Sequence, residues 1–306
     1  MRIFIQVIVL FIIPFSLLSK INYKGSEEVS FLSAFETKNC FITYVMINGY
    51  TYIIKQKKDF KKQLAVVRDT LAAYIAKDLA VAHEVDIIDF KKNIVGKHHL
   101  KWPATIHTIA AGETVRKQKT SKYNAIRLKQ HWSRPDINNE IGLTKMVINY
   151  MTWHKQLPVI VALDLFIGNS DRHIGNLCYD PETDKFCAID MDDTFNKDLC
   201  ELACRNFDKM IKNKTAQFTK EEIKALIIMR NTLKLLVQKH TPRDLIVKMY
   251  TFGHRAGFVK GSPLYNERIQ RRFAAYERNI QKTYESARHL IVILDKIIRR
   301  KAMEIV

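Results

Sequence analysis

Apolar and polar positions alternate most clearly between residues 41 and 56. Two runs rich in β-branched and aromatic residues, FITYVMI and YTYIIKQ, flank Asn48 and Gly49. An Asn-Gly pair between two such runs is a strong short-range signal for a β-hairpin. The pattern therefore predicts two antiparallel strands joined by a tight turn.

The spacing of apolar residues then changes to that of a helix. Residues 61–82 carry leucine, valine and isoleucine at helical intervals, which predicts a helix behind the hairpin. Residues 85–90 and 105–110 follow as further strands, separated by the polar, glycine-containing turn 91–99. We expect this part of the chain to be α+β.

From residue 143 onward the pattern is mainly helical. One exception is a strand, turn and strand over residues 177–190. Thr219 and Glu222 have the spacing of a capping box and mark the start of a helix. The predicted helical stretches are 157–167, 221–238 and the basic stretch 264–300. No internal repeat is present, so the pattern predicts an α+β fold with a helical C-terminal part.

The first residues form a separate compositional unit. Arg2 precedes an apolar run from Ile3 to Leu18, interrupted only by Gln6, Pro14 and Ser16. Residues 1–19 therefore resemble a signal peptide or a membrane anchor, and the chain would be exported or held at a membrane. A buried N-terminal strand is the alternative, and it would leave the protein in the cytoplasm.

The chain carries a formal net charge of +19, with 47% hydrophobic and 26% charged residues. This composition is typical of a folded protein, and the charge would attract anions such as nucleotides, phospholipid headgroups or nucleic acid. A lysine-rich background spread over solvated faces would look the same. Nucleic acid is disfavoured as a partner because the basic C-terminal segment has no recognised reading motif.

Five cysteines are present. Cys178 and Cys187 flank a turn-like segment and could pair across a hairpin in an exported chain. Cys200 and Cys204 lie on a predicted helix without further ligands at zinc-site spacing, which favours a place in the core.

Several residues have the types and order that phosphoryl transfer needs. The reaction requires a lysine on the phosphates, a carboxylate that orients this lysine, a group that orients the acceptor hydroxyl, and metal-holding side chains. Lys55 ends the second hairpin strand in the context YIIK. Asp69 lies on the next helix among alanines, where it could approach the sheet and pair with Lys55.

The strongest signal lies within residues 163–195. Asp171 and Asn176 have the Asp-x-x-x-x-Asn spacing of a kinase catalytic loop, and Asp190 follows at the end of an apolar strand. The intervening hairpin would hold Asn176 near Asp190, so that an amide oxygen and a carboxylate could share Mg²⁺. Asp171 would then accept or orient the acceptor proton.

The motif DRHIGN followed by AIDMDDTF resembles the catalytic and metal-binding loops of phosphatidylinositol 3- and 4-kinase-like enzymes. HipA-type protein kinases and secretory-pathway kinases are similar over the same loops. The resemblance is specific over residues 160–195, looser over 41–112, and not found beyond about residue 200. It implies a two-lobed protein-kinase-like fold, with a small β-rich N-lobe, a mainly helical C-lobe and ATP in the cleft.

The same resemblance implies the roles of single residues. ATP and Mg²⁺, or Mn²⁺ in its place, would be the cofactors. Asp171 would be the catalytic aspartate, and His173 a second base or a transition-state stabiliser. Asn176 and Asp190 would hold the metal, and Lys55 would contact the phosphates.

The chain departs from the family pattern in its N-lobe. No glycine-rich loop precedes the hairpin, so residues 31–40 would have to cradle the phosphates through backbone amides and the hydroxyl of Ser33 or Thr37. Asp69 stands where a longer glutamate is usual, which would demand a closer helix.

A second departure follows the metal aspartate. Asp192 and Asp193 occupy the positions where many kinases have glycine and the residue after it. Either could supplement metal binding, but we expect both to cap the next turn.

The resulting hypothesis is an ATP-dependent kinase with residues 1–19 as leader or anchor, 20–112 as N-lobe and 113–306 as C-lobe. A phosphoinositide-type lipid is the first choice of acceptor, because of the basic charge and the apolar N-terminus. A protein serine or threonine is the second choice. A pseudokinase that binds nucleotide without transfer is a further reading, favoured by the missing glycine-rich loop.

Overall fold

The computed structural model describes residues 29–37, 39–58, 64–88, 103–118, 140–213, 217–261 and 264–303. Within them the chain forms a β-rich N-terminal part followed by a mainly helical part, so the predicted α+β class is confirmed. The predicted leader or anchor, residues 1–19, lies outside the described residues. None of the described helices has both the length and the apolar character that crossing a bilayer requires.

The N-terminal part is built on a five-stranded antiparallel sheet with the order β1-β2-β3-β5-β4. The predicted hairpin is confirmed: β2 and β3 are joined by Asn48 and Gly49, which have positive φ angles of 52° and 80°. The five strands are β1 (Val29–Glu36), β2 (Cys40–Ile47), β3 (Tyr50–Lys57), β4 (Val85–Ile87) and β5 (Ala104–Thr108).

Strand β1 corrects the expectation that residues 31–40 form a phosphate-cradling loop. Most of this stretch pairs with β2, and the connection is a tight turn. The Thr37 hydroxyl accepts a hydrogen bond from the Cys40 amide (2.9 Å) and donates to the Cys40 carbonyl (3.1 Å). Ser33 lies within the strand, opposite Tyr44. The sequence pattern missed this strand because a register shift after Phe31 interrupts its alternation.

The predicted helix over residues 61–82 is shorter in the structure. Helix α1 (Ala65–Ala76) is followed by a 3₁₀ turn (Lys77–Leu79), and residues 61–63 lie outside the described part of the chain. Ala80 ends the turn with a φ of 52°. Since α1 is rich in alanine, its backbone packs closely against β4 and β5.

The C-terminal part consists of helices around a small sheet with the order β6-β7-β8. The predicted hairpin of residues 177–190 is confirmed, whereas β6 was not predicted. The capping box of Thr219 and Glu222 is also present. These elements are β6 (Glu113–Thr114), α2 (Glu140–Met151), α3 (Leu157–Ile167), β7 (Leu177–Asp180), β8 (Lys185–Ala188), α4 (Leu199–Lys212), α5 (Lys220–Lys239), α6 (Pro242–Arg255) and α7 (Glu267–Met303).

The buried side chains form two separate clusters. The main core is shared by the C-terminal helices and α1. The second core lies on the face of the N-terminal sheet that points away from Lys55. Its members on β3, Tyr52 and Ile54, alternate with Lys55 along the strand. Its members are Val45, Ile47, Tyr52, Ile54, Ile88, Ala104 and Ile106. Helix α1 therefore belongs with the C-terminal part and not with the back of the sheet.

Gly168 ends α3 and begins the loop that carries Asp171. Its φ of 63° is left-handed, and its amide donates to the carbonyls of Asp164 and Leu165. A Cβ at this position would lie 2.2 Å from the Lys197 carbonyl oxygen. Only glycine therefore allows the loop to start this close to the segment before α4.

We expect Gly168→Ala to lower the free energy of unfolding by about 3 kcal/mol or more, since it combines a strained φ with a backbone clash. Gly49→Ala is the matched control: its φ is also positive, but a Cβ there meets nothing within 4 Å. This control should lose about 1–2 kcal/mol. Urea unfolding of both variants measures the difference, and equal losses would show that the contact with Lys197 is unimportant.

Candidate active site

A buried arginine organises the loop after α3. The Arg172 side chain is 2% exposed, and its Nε and Nη2 each donate to a carboxylate oxygen of Asp164 at 3.0 Å. Its Nη1 donates to the carbonyls of Asn176 and Ile189, the latter at 2.7 Å. One guanidinium thus joins α3, the catalytic loop and the end of β8.

Asn169 extends this network to Asp171. Its Nδ2 donates to Asp164 Oδ1 (2.9 Å), and its Oδ1 accepts the Asp171 amide (3.1 Å). The backbone of Asp171 is therefore fixed by the same carboxylate that holds the arginine. A fixed backbone limits where the Asp171 carboxylate can point.

The structure brings together the three residues that the sequence nominated for catalysis and metal binding. Asn176 Nδ2 donates to the Asp171 carbonyl (3.0 Å), and the Ile189 amide donates to the Asn176 carbonyl (3.1 Å). Asp190 follows with a φ of 53°, a strained value for a residue other than glycine. The Asn176 and Asp190 segments are thus neighbours.

The donor set suits a hard divalent cation. Because the Asn176 nitrogen donates to a carbonyl, its amide oxygen is the side-chain atom that remains for a cation. Mg²⁺ is usually held by one or two protein oxygens together with substrate phosphates and water. Within the described ranges no cluster of three or more His, Cys, Asp or Glu side chains could hold a metal unaided. A cation held by Asn176 and Asp190 would take its remaining oxygens from water or from a bound ligand.

Two lysines of β3 face two aspartates across the cleft. Lys55 binds Asp190 and lies 3.3 Å from Asp192, and Lys57 binds Asp192. Burial alone would lower the pKa of Lys55, but the nearby carboxylates outweigh it and leave that pKa raised. Burial alone would raise the pKa of Asp192, but Lys55 and Lys57 hold it well below its usual range. Lys55 and Asp192 are therefore charged at neutral pH.

Asp192 thus differs from the expectation that it caps a turn, since it pairs with two lysines. Asp193 does have a local role, because it accepts hydrogen bonds from Ser170 (3.1 Å) and Asn196 (2.6 Å).

Asp69 is close to this cluster, but it makes a different contact from the one predicted. Its Oδ1 accepts the Met191 amide (3.2 Å), while the ion pairs of Lys55 in the structure go to Asp190 and Asp192. Burial raises the pKa of Asp69 to about 7, although Lys55 acts in the opposite direction. Aspartate is too short to displace the other carboxylates from the lysine, so it anchors α1 to the residue after Asp190.

His173 lies on the same loop as Asp171 and Asn176. Its Nδ1 accepts the Gly175 amide (2.9 Å), which places the proton of the neutral ring on Nε2. The exposed Arg116 donates its amide to the Ile174 carbonyl (3.1 Å), and its guanidinium carbon is 3.4 Å from where a Cβ of Gly175 would be. A positive charge therefore stands beside His173.

Two stacked histidines connect the sheet to the strand before Asp190. His83 Nδ1 must donate to the Ala188 carbonyl (3.2 Å), so its Nε2 accepts from His107 Nδ1 (2.9 Å). His107 Nε2 then accepts from the Thr105 hydroxyl (2.7 Å). Burial lowers the pKa of His83 to about 4 and holds that of His107 well below its usual value. Both rings are neutral, and His107 Nε2 also lies 3.7 Å from the Asp69 carboxylate.

The four cysteines of the C-terminal part are buried free thiols. Cys178 and Cys187 lie directly opposite each other across the hairpin, as their spacing indicated. Burial raises the pKa of Cys178 to about 11 and that of Cys187 to about 12, so both are protonated. Cys200 and Cys204 belong to the main core.

A narrow cleft of about 170 Å³ lies between β3 and α1. It is lined by Lys55, Lys57, Ala65, Val66, Asp69, Thr105 and Asp192.

Sequence reasoning assigned no role to Asp164, Arg172 or Lys57. A signal for the first was available, because a carboxylate within the apolar run LPVIVALDLFI needs a partner once that helix is buried. For Lys57 no local pattern indicates which residue it contacts.

We expect Arg172→Met to destabilise the protein by about 3–5 kcal/mol, since it leaves Asp164 buried without its charge partner. The double variant Asp164→Leu with Arg172→Met should lose less than the sum of the two single losses. Urea unfolding of the four proteins gives the coupling energy. Additive losses would mean that the two side chains do not act as a pair.

The histidine chain predicts a pH dependence. A depressed folded-state pKa means that the stability due to neutral His83 is present above pH 6.5 and is lost as the pH falls from 6.5 through 4. Asp69 titrates in an overlapping range, so the comparison is made with His83→Gln, which shares Asp69. Between pH 7 and pH 5 the wild type should lose about 2 kcal/mol more unfolding free energy than the variant. Parallel pH profiles would contradict this.

No family model matches the sequence, and no curated protein emerges as a relative. The solved structures that match are distant in sequence and in superposition. The proinflammatory kinase CtkA of Helicobacter pylori is 12% identical, with a TM-score of 0.44 over 92% of this chain and 97% of that one. An aminoglycoside phosphotransferase of Alicyclobacillus acidocaldarius is 8% identical, with a TM-score of 0.29 over 88% and 93%. A MAP kinase of Leishmania major is 10% identical, with a TM-score of 0.31 over 85% and 82%.

Proposed function

We propose that this protein is an ATP-dependent phosphotransferase acting on an alcohol group. The observation that carries the proposal is the meeting of Lys55 with Asp190, beside the linked pair Asp171 and Asn176. These four residues come from a sheet, a loop and the end of a hairpin. Their convergence supplies the parts that phosphoryl transfer requires.

Each residue has a role that follows from its position. Asp171, at the start of the loop, would accept or orient the proton of the acceptor hydroxyl. Lys55 would contact the nucleotide phosphates. Asn176 and Asp190 would hold Mg²⁺, which supplies neutralisation of the charge on the phosphate oxygens.

The sheet offers a surface for the nucleotide base. The register places Phe35, Ile42 and Lys55 in one row, and alternation puts Tyr44 and Ile53 on the same face. The Phe35 ring is 49% exposed and lies 6.1 Å from that of Tyr44. An apolar, partly aromatic surface next to a lysine suits a base with phosphates attached.

The cleft must widen for a nucleotide. The space between its walls is far smaller than the roughly 300 Å³ at which small-molecule pockets begin. The ion pairs of Lys55 and Lys57 bridge its two walls. Phosphates would take the place of the aspartates beside the lysines, and a cation would take the place of the lysines beside the aspartates. Opening the cleft would therefore exchange one set of ion pairs for another.

The acceptor we propose is a hydroxyl of a phosphoinositide-type lipid. Arg116 beside His173 provides a positive charge where an anionic headgroup would approach, and the net charge of +19 favours an anionic surface. Export or membrane anchoring through residues 1–19 belongs to the same proposal. A protein hydroxyl is the alternative acceptor.

We expect Asp190→Asn and Lys55→Met each to lower transfer from labelled ATP by at least about 100-fold, because each removes a charge from the phosphates or the metal. Glu182→Gln is the control, since Glu182 is an exposed acidic residue on the same hairpin. Its rate should equal that of the wild type. Full activity in Asp190→Asn would refute the kinase assignment, and nucleotide binding without any wild-type transfer would identify a pseudokinase.

The acceptor is tested by presenting labelled ATP with vesicles containing phosphoinositides, with a generic protein, and with the enzyme alone. Labelled lipid, reduced in Arg116→Gln, is the expected result. Label on protein only would exclude the lipid acceptor while leaving the phosphotransferase assignment intact.

A further inference from the structure

Residues 191–198 connect Asp190 to α4 by a short path that is exposed at Asn196 and Lys197 but buried at three other positions. Met191 and Thr194 have no exposed surface, and Phe195 is 2% exposed. In protein kinases the corresponding segment is a long loop, which phosphorylation orders. Here α4 begins at Leu199, immediately after its cap Asp198. There is little chain left to form such a loop.

The long helix α7 holds this segment by its backbone. Asn279 Nδ2 donates to the Phe195 carbonyl at 2.7 Å, while the Phe195 amide donates to the Ile167 carbonyl at 2.7 Å. Phe195 has a φ of 55°, which is strained for an aromatic residue and must be maintained by its surroundings. The amide and the carbonyl of Phe195 are therefore both held by residues outside the segment 191–198.

Helix α1 is attached to the same segment and to α7. Arg68 Nη1 lies 3.4 Å from the Thr194 carbonyl, and the Thr194 hydroxyl donates to the Arg68 carbonyl at 3.4 Å. The Arg68 guanidinium also lies over the Tyr276 ring of α7, 5.6 Å from its centre. The next residue, Asp69, accepts the Met191 amide. Helix α7 thus contacts both the metal-site segment and the helix beside it.

We propose that α7, through Asn279, is the element that holds the metal-site segment in its working position, and that no phosphorylation of this segment is needed. The inference rests on the proposed function. Asn279 is a positioning residue: it touches neither nucleotide nor acceptor, and it acts on Asp190 through Phe195 and the intervening chain. The segment is then assembled as soon as α7 has packed.

The first test compares Asn279→Ala with wild type by hydrogen exchange without ligands. Amides of residues 191–195 should exchange about three- to tenfold faster in the variant, in keeping with the loss of one buried hydrogen bond. Gln281→Ala, an exposed change on the same helix, should leave them unchanged. Unchanged exchange in Asn279→Ala would overturn the proposal, whether or not the protein is a kinase.

The second test measures the Mg²⁺ concentration for half-maximal transfer. Asn279→Ala should raise it about three- to tenfold, with a smaller effect on the KM of the acceptor. Leu290→Ala, a core change on α7, controls for stability: at a temperature where both variants are folded, it should retain the wild-type Mg²⁺ requirement. An equal rise in Leu290→Ala would mean that general destabilisation explains the effect, and would overturn the positioning role.

Phosphatase treatment of the wild type should leave its transfer rate unchanged. A fall in rate that phosphorylation of the segment restores would contradict the proposal. A wild type without transfer would refute the proposed function, and the hydrogen-exchange comparison would still decide the role of Asn279.

Discussion

The pairing of Arg172 with Asp164 is the interaction on which the geometry of this site depends. A guanidinium has enough donors, in a planar arrangement, to bind a carboxylate through two nitrogens and still reach two carbonyls. Lysine has a single charged nitrogen and could not span the same three elements. Because the pair is buried, either charge would destabilise the protein if its partner were removed. The positions of Asp171, Asn176 and Asp190 follow from it.

The cleft above this network is balanced in charge before any ligand arrives. Lys55 and Lys57 are two residues apart on β3 and therefore point to the same face. Asp190 and Asp192, on the opposite wall, are also two residues apart. Each ammonium can therefore find a carboxylate without distortion. Such an arrangement keeps buried charges compensated in the free protein and makes cation and phosphate interdependent as ligands.

Local patterns predicted the local parts of this molecule well. The Asn-Gly turn and the spacing of Asp171 and Asn176 are properties of short segments, and the structure contains the predicted hairpin and brings the loop residues together. Contacts between segments that are distant in the sequence could not be predicted from local patterns. Nothing near Lys57 indicates that it meets Asp192, and the length of Asp69 alone did not show that it would bind the Met191 amide.

Strand β1 was missed for a different reason. Its alternation is broken after Phe31, so the stretch has no steady period by which a strand could be predicted. The resemblance to kinase loops was informative where chemistry limits the residue types. It was less informative in the N-terminal part, because backbone amides from many different sequences can bind phosphates.

The division of the buried side chains into two cores affects how the protein would move. The back of the sheet has its own cluster, whereas α1 shares the core of the C-terminal helices. The two are joined at one edge of the sheet, because β4 and β5 pack against α1, and Val85 and Ile87 of β4 belong to the core of the helices. The sheet would therefore flex about its β4 edge, and the strands at the other edge, β1 and β2, would swing through the largest arc.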